Sequence, residues 1–394
     1  MRLLTIRKCR QRYGSEEHFL RVAKGAAANG WEVHAVFPTT DETQTMIQDC
    51  AEHGIYYHPW KGFLEHTSPK LYYSLFVKAL SLLPSTYRLM RIIQTVRPDV
   101  IQITLAAIFE TPLFPLVSGI LKIPSLVVFQ VASEKLPVPD PLKNFYAWGR
   151  AKNQQWIAVS KQNRKNLSEM FSLHEENISL IHNGIELTSK FSELFPSQIQ
   201  QLRREVRTEL SIPENAPILL TVGRLSKDKG HIDLVEIIRP LVSESPELKF
   251  VWVGDGEQRK ILESKIHRYG IERSVILCGY RNDVVRLMTA ADLLVVASRH
   301  EGGCSSVVRE AMLHRLPMVT SDAGGIPEVV LDGEHGAMFP AGNTQRMLKC
   351  IRWALQNPKE MRAMADKARK RIEVFSTDRM VENYIAAFKK LHPQ

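Results

Sequence analysis

Four short apolar runs in the second half of the chain each stop at glycine or a polar turn: residues 218–223 (ILLTVG), 250–256 (FVWVGDG), 275–279 (VILCG) and 293–298 (LLVVAS). The last leads through residues 299–303 (RHEGG) into 304–313 (CSSVVREAML), which has helical spacing, then into a fifth run at 318–321 (MVTS) and the turn 322–330 (DAGGIPEVV). Runs of this length, bounded by turn residues and alternating with helical stretches, predict an α/β fold with a parallel, doubly wound sheet.

The first half repeats the pattern. Strands are predicted at residues 3–6, 33–37, 100–103, 126–129, 156–159 and 178–181. Phe19, Val22, Ala23, Ala26 and Ala27 recur at helical spacing, and Asn29-Gly30 supplies a helix stop. A chain of 394 residues exceeds one ordinary domain and suits two of about 180 residues each. The boundaries expected are a first domain at 1–185, a polar linker at 186–209, a second domain at 210–372 and a final helix at 373–394.

Chemistry concentrates after the 218–223 run. Gly223 permits a tight turn, and Arg224 and Lys229 follow in a loop at a strand's carboxyl end. Ligands of open α/β sheets bind outside those carboxyl ends, and two cations there suit the oxygens of a phosphate.

These residues resemble the retaining glycosyltransferases of GT-B fold called glycosyl transferases group 1, or family 4. The likeness covers most of the chain and is strongest over residues 210–345. It implies two doubly wound, Rossmann-like domains facing a cleft, the first for an acceptor and the second for a nucleotide-sugar donor. By this resemblance Arg224 and Lys229 grip the donor diphosphate, Glu301 contacts the transferred sugar and Glu310 holds the ribose. Eight residues separate the two glutamates here, where the family has seven, and Gly302-Gly303 could absorb the extra one. Cys304, Ser305 and Ser306 are expected to open the following helix, whose amides attract phosphate. Gly254 and the loop Gly279, Tyr280, Arg281 complete the donor side, and the final helix crosses back to the first domain. On the acceptor side Gly14 and Ser15 stand where the family has a glycine pair. Gln130 stands where relatives carry a histidine, so it cannot titrate. The resemblance implies transfer with retention of configuration and no cofactor. No metal is expected, because no Asp-any-Asp pattern lies near these loops.

Arg7, Lys8, Arg10 and Arg12 fall within six residues after the first strand, and the chain carries a net charge of +10. They suggest an anionic or lipid-linked acceptor met at an acidic membrane surface. Residues 70–92 mix bulky apolar groups with Lys and Arg and could lie in an interface, although Pro84 is expected to break any helix there. No apolar run reaches the ~18 residues of a spanning helix. Cysteines at 9, 50, 278, 304 and 350 show no ligand spacing, which points to the cytoplasm, with the inner membrane face as a place of work. Basic residues are not interleaved with aromatics as in RNA-binding modules, so no nucleic-acid partner is expected. Two alternatives stay open: a nucleotide-sugar epimerase of the same fold, and a catalytically weakened sugar-nucleotide-binding paralogue.

Overall fold

Thirteen strands form two separate parallel sheets among the described residues of this computed structural model. Described are residues 1–9, 12, 14–60, 75–132, 138–188 and 194–392, with only the backbone for 75–83. Arg10 of the basic loop lies outside them, as does 70–74 of the interfacial segment. The chain divides into one unit of Met1–Gly184 with Thr377–Gln394, and a second of Ile185–Ser376.

The first sheet contains β1 (Arg2–Arg7), β2 (Glu32–Phe37), β3 (Tyr56–Pro59), β4 (Val100–Ala107), β5 (Ser125–Val131), β6 (Gln154–Ala158) and β7 (Ile178–Leu180), ordered β3-β2-β1-β4-β5-β6-β7. Successive side chains point to opposite faces, so Leu3 joins one core and Leu4 the other, both fully buried. Burial on both faces explains why β1, β4 and β5 read as mainly apolar runs without strict alternation. The helix Gly14–Ala28 covers one face, and the terminal helix Thr377–Leu391 lies against it. Met380, Val381, Tyr384, Phe388 and Leu391 form its buried stripe, and Gly25 brings the two helices so close that a Cβ there would sit 2.4 Å from Val381. Tyr384 Oη lies 3.1 Å from His18 Nε2 inside this contact. Residues 373–376 stay with the second unit instead, because Phe375 is buried in its core.

The second sheet contains β8 (Ile218–Val222), β9 (Lys249–Val253), β10 (Val275–Leu277), β11 (Leu293–Val296), β12 (Met318–Ser321) and β13 (Ala337–Phe339), ordered β10-β9-β8-β11-β12-β13. Its two faces bury separate apolar cores. The expected linker is corrected: Pro196–Glu209 is a helix of this unit. Its polar surface hides its function as an anchor. Arg207 donates to the carbonyls of Pro213 and Ala216, and both Arg203 and Arg207 pair with Asp292. Pro84 does not break its segment either. Leu75–Val96 is one helix with Pro84 inside it, so the proline removes one backbone hydrogen bond without ending the helix.

Candidate active site

Strand order decides where the second unit can bind a ligand. From β8 the chain winds outward through β9 and β10, and from β11 through β12 and β13, so the order reverses between β8 and β11. The crevice at the carboxyl ends of such a switch point is the preferred ligand position in this kind of sheet. Lys229 comes from the loop after β8 and Glu301 from the loop after β11. The structure brings them together, with Lys229 Nζ 2.5 Å from Glu301 Oε1. Ser298 Oγ donates to the same carboxylate oxygen at 2.7 Å. Glu301 is therefore held by two donors, and its side chain is only 10% exposed.

The surrounding loops are laced together through backbone. Gly223 N–H donates to Val253 O, Leu225 N–H to Asp255 O and Gly254 N–H to Gly279 O. Arg299 N–H donates to Asp228 O, and the Arg299 guanidinium grips Asp233 with two bonds. Two glycines make the packing possible. A Cβ on Gly254 (φ 134°) would lie 2.0 Å from Gly223 O, and one on Gly324 (φ 56°) would lie 1.9 Å from Glu301 O. Gly324, from the 322–330 turn, thus fixes the backbone carrying Glu301. Residues 302–304 form a bend, and Glu310 lies inside the helix Ser306–Leu313 that follows.

The other expected donor-side residues divide. The Arg224 side chain is 61% exposed and only 4.0 Å from Asp228, so it is a loosely held cation beside Lys229. Tyr280 projects into solvent, 70% exposed. The Arg281 guanidinium is occupied by Asp283 and Glu209. Its charge anchors the loop after β10 to the helix Pro196–Glu209. Cys304 lies just before the helix N-cap with its side chain buried in the core, where burial pushes its thiol up to about 12, so its backbone is the part left for a ligand. Ser305 occupies the N-cap of the helix Ser306–Leu313, yet its hydroxyl makes no capping bond. Reading the sequence missed Ser298, Asp233 and Arg299. The serine that ends the 293–298 run was the one available signal, and the Asp233–Arg299 pair spans 66 residues.

The first unit has its own switch point, between β1 and β4, and Arg7 and Arg12 of the expected basic patch are paired with carboxylates. Arg7 is 3% exposed and lies within ion-pair distance of Glu16 at 2.8 Å and Glu110 at 2.7 Å. Burial opposes its charge, but the two carboxylates more than offset this and raise its pKa. Ser15 is tied into the same network, accepting from Arg7 and donating to Glu16. Arg12 pairs with Glu17 and Asp49. Arg7 is thus a buried structural ion, and Arg12 is charge-balanced on its surface. Gly14 opens the helix Gly14–Ala28 and is exposed. Gln130, near the carboxyl end of β5, accepts from Asn183 at 3.1 Å. Its Nε2 is buried without a hydrogen-bond partner among the described residues.

His231, directly after the Lys229-Gly230 turn, is fully buried against Trp252 with both ring nitrogens unpartnered among the described residues. Burial, and secondarily Lys229, push its pKa down to about 4. The unfolded chain binds this proton near pH 6.5, well before the folded one does. The stability that depends on neutral His231 is therefore complete above about pH 6.5 and is lost between pH 6.5 and 4, by roughly 3 kcal/mol. His314, pushed by burial to about 4, adds to the same window. Denaturant titrations at pH 7 and pH 4.5 should show this loss, and His231→Phe should reduce it. An unchanged pH dependence in that variant refutes the assignment.

Family models match both units. One described as Glycosyl transferases group 1 matches residues 203–371, and one described as Glycosyltransferase Family 4 matches residues 13–189. The chain belongs to the group 1 glycosyltransferases. Spore coat protein SA of Bacillus subtilis (strain 168) is 26% identical over 247 residues, which is 60% of this chain and 65% of that protein. For several other curated relatives the match takes in about half of their length. Among solved structures, a glycosyltransferase from Rickettsia africae ESF-5 superposes with a TM-score of 0.82 at 17% identity, covering 100% of this chain and 99% of that one. Anabaena Alr3699/HepE, solved in complex with UDP-glucose, gives 0.79 at 20% identity, covering 99% and 100%. At these identities the likeness is one of fold, and the fold is GT-B. No helix among the described residues of this group 1 glycosyltransferase is long and apolar enough to cross a membrane.

Proposed function

We propose that this chain transfers a hexose from a UDP-sugar to an acceptor with retention of anomeric configuration. The observation that carries the reading is the Lys229–Glu301 pair at the β8/β11 switch point, beside the exposed Arg224. The UDP-glucose complex of Alr3699/HepE supports a UDP donor. In this reading the diphosphate takes Lys229, Arg224 and the amides opening the helix Ser306–Leu313, and its arrival draws Lys229 partly away from Glu301. Glu301, released, accepts hydrogen bonds from the sugar hydroxyls, while Glu310 holds the ribose. Charge that develops on the leaving diphosphate is stabilised by groups already in place, which is how fixed dipoles and cations lower a barrier. No metal or other cofactor enters this scheme.

The acceptor is read as bound by the first unit, on a lipid-linked, glycan or small-molecule hydroxyl. Gln130 Nε2 is the donor best suited to orient it. The net charge of +10 supports an anionic acceptor and peripheral work at the cytoplasmic face of a membrane, but Arg7 and Arg12 no longer do.

Two variants test the roles. Glu310→Ala should weaken binding of UDP itself and lower turnover. Glu301→Ala should leave UDP affinity within about threefold and abolish transfer, because loss of a hydrogen bond to a charged group costs about 1.5–3 kcal/mol only for the ligand that makes it. A thermal-shift series with UDP, GDP and ADP reads the nucleotide, and NMR of the product reads the anomeric configuration. Two glutamate variants with the same phenotype, or an inverted product, overturn the reading.

A further inference from the structure

A cavity of about 380 Å3 opens in the first unit, lined by Lys143, Arg150, Gln155, Trp156, Phe171 and Asn177 among others. It lies at the amino ends of β6 and β7, so it is at the sheet edge opposite the carboxyl ends that carry Gln130 and the Arg7 network. Its volume is in the range that holds small ligands.

Its charge is one-sided. Lys143 and Arg150 both project from the helix Asp140–Arg150, seven residues and two turns apart, hence on one face. Among the described residues, no acidic side chain lines the cavity. Several partly buried arginines elsewhere are paired with carboxylates, as at Arg7, Arg203, Arg281 and Arg286. Arg150 has no ion pair or hydrogen bond from its guanidinium among the described residues. It lies 5.4 Å from the Trp156 ring centroid, and partial burial lowers its pKa with no carboxylate to offset it. A guanidinium packed over an indole is fixed in direction and still has its N–H groups to give. Trp156, Phe171 and Leu173 supply an apolar floor, and Asn177 and Gln155 supply amide groups.

We propose that this cavity binds a phosphate group, held by Arg150 and Lys143, whose organic part rests on the Trp156 and Phe171 floor. A guanidinium fork and an ammonium two turns apart suit a tetrahedral, anionic phosphate. The phosphate comes either on a small phosphorylated molecule or on a phospholipid headgroup. The site is independent of the donor assignment, since it involves neither Lys229 nor Arg224.

The test uses the full chain with two probes: glycerol 3-phosphate in solution, and phosphatidylglycerol–phosphatidylcholine vesicles against phosphatidylcholine alone. Wild type and Lys229→Ala should bind one of the probes equally well. Lys143→Gln/Arg150→Gln should bind it roughly 10- to 100-fold more weakly, as expected for two charged hydrogen-bonding partners. Ala147→Glu places a carboxylate on the exposed rim of the cavity. It should abolish binding with thermal stability unchanged, which keeps the test valid if the double variant folds poorly. Binding of glycerol 3-phosphate identifies a small ligand, and binding to acidic vesicles without it identifies a headgroup. The proposal is overturned if wild type binds neither probe, or if Ala147→Glu binds both as tightly as wild type.

Discussion

Arg7→Ala should destabilise the first unit by about 3–5 kcal/mol, because it leaves two inward-facing carboxylates without their cation. Glu16 is 3% and Glu110 is 15% exposed at the side chain, and Arg7 reaches both. Arg7→Lys should recover only part of the loss, since a point charge cannot fork between Glu16, Glu110 and the Thr104 carbonyl as the guanidinium does. Denaturant unfolding, followed through Trp156 in the core of this unit, is the measurement. If Arg7 instead served the acceptor from a solvated loop, Arg7→Ala would unfold like wild type and change only acceptor binding or membrane association. A wild-type unfolding curve for Arg7→Ala therefore sinks the buried-network account.

Lys229→Ala should nearly abolish transfer. Removing one preorganised donor to developing charge costs on the order of 100- to 1,000-fold in turnover. UDP affinity should fall as well, by about 1.5–3 kcal/mol. The change also strips Glu301 of its ion pair and leaves Ser298 as its remaining side-chain donor among the described contacts. A Lys229→Ala/Glu301→Gln double variant should consequently be more stable than Lys229→Ala alone, though equally inactive. Arg224→Ala should have the milder effect on the free protein, because its side chain is 61% exposed and makes only a 4.0 Å pair, and such pairs contribute little. UDP titration and steady-state turnover separate these outcomes. Wild-type UDP affinity in a folded Lys229→Ala variant removes Lys229 from the donor site.

Most of the architecture was legible from local pattern. Apolar runs ending at Gly223, Gly254 and Gly279 announced strands and their exits, since a strand buried on both faces must be apolar throughout and its exit loop must turn. The terminal helix, expected at 373–394, runs over Thr377–Leu391. Two strands were missed. Both are sheet edges: β3 has the residues YYHP and is partly exposed, so it needs no apolar run, and β13 is the apolar triplet AMF, too short to stand out as a run. The helix Pro196–Glu209 was read as a linker because only a narrow part of its surface is buried.

The site divides along the same physical line. Residue type and turn spacing are local properties, so Arg224, Lys229, Glu301 and Glu310 could be singled out along the chain itself. Which charges neutralise one another is not local. The basic run at 7–12 looked solvated because no acid stands within it, yet Glu16 lies nine residues on and Glu110 lies 103 residues on. Lys229 and Glu301 are 72 residues apart and meet only because β8 and β11 are neighbours in the sheet. Strand order is chosen by how the two faces of each sheet bury their cores, and that choice turned Arg7 into an internal ion and Arg281 into an anchor. Sequence supplied the charged groups and the turns that hold them, while packing decided which of those charges remain turned toward a ligand.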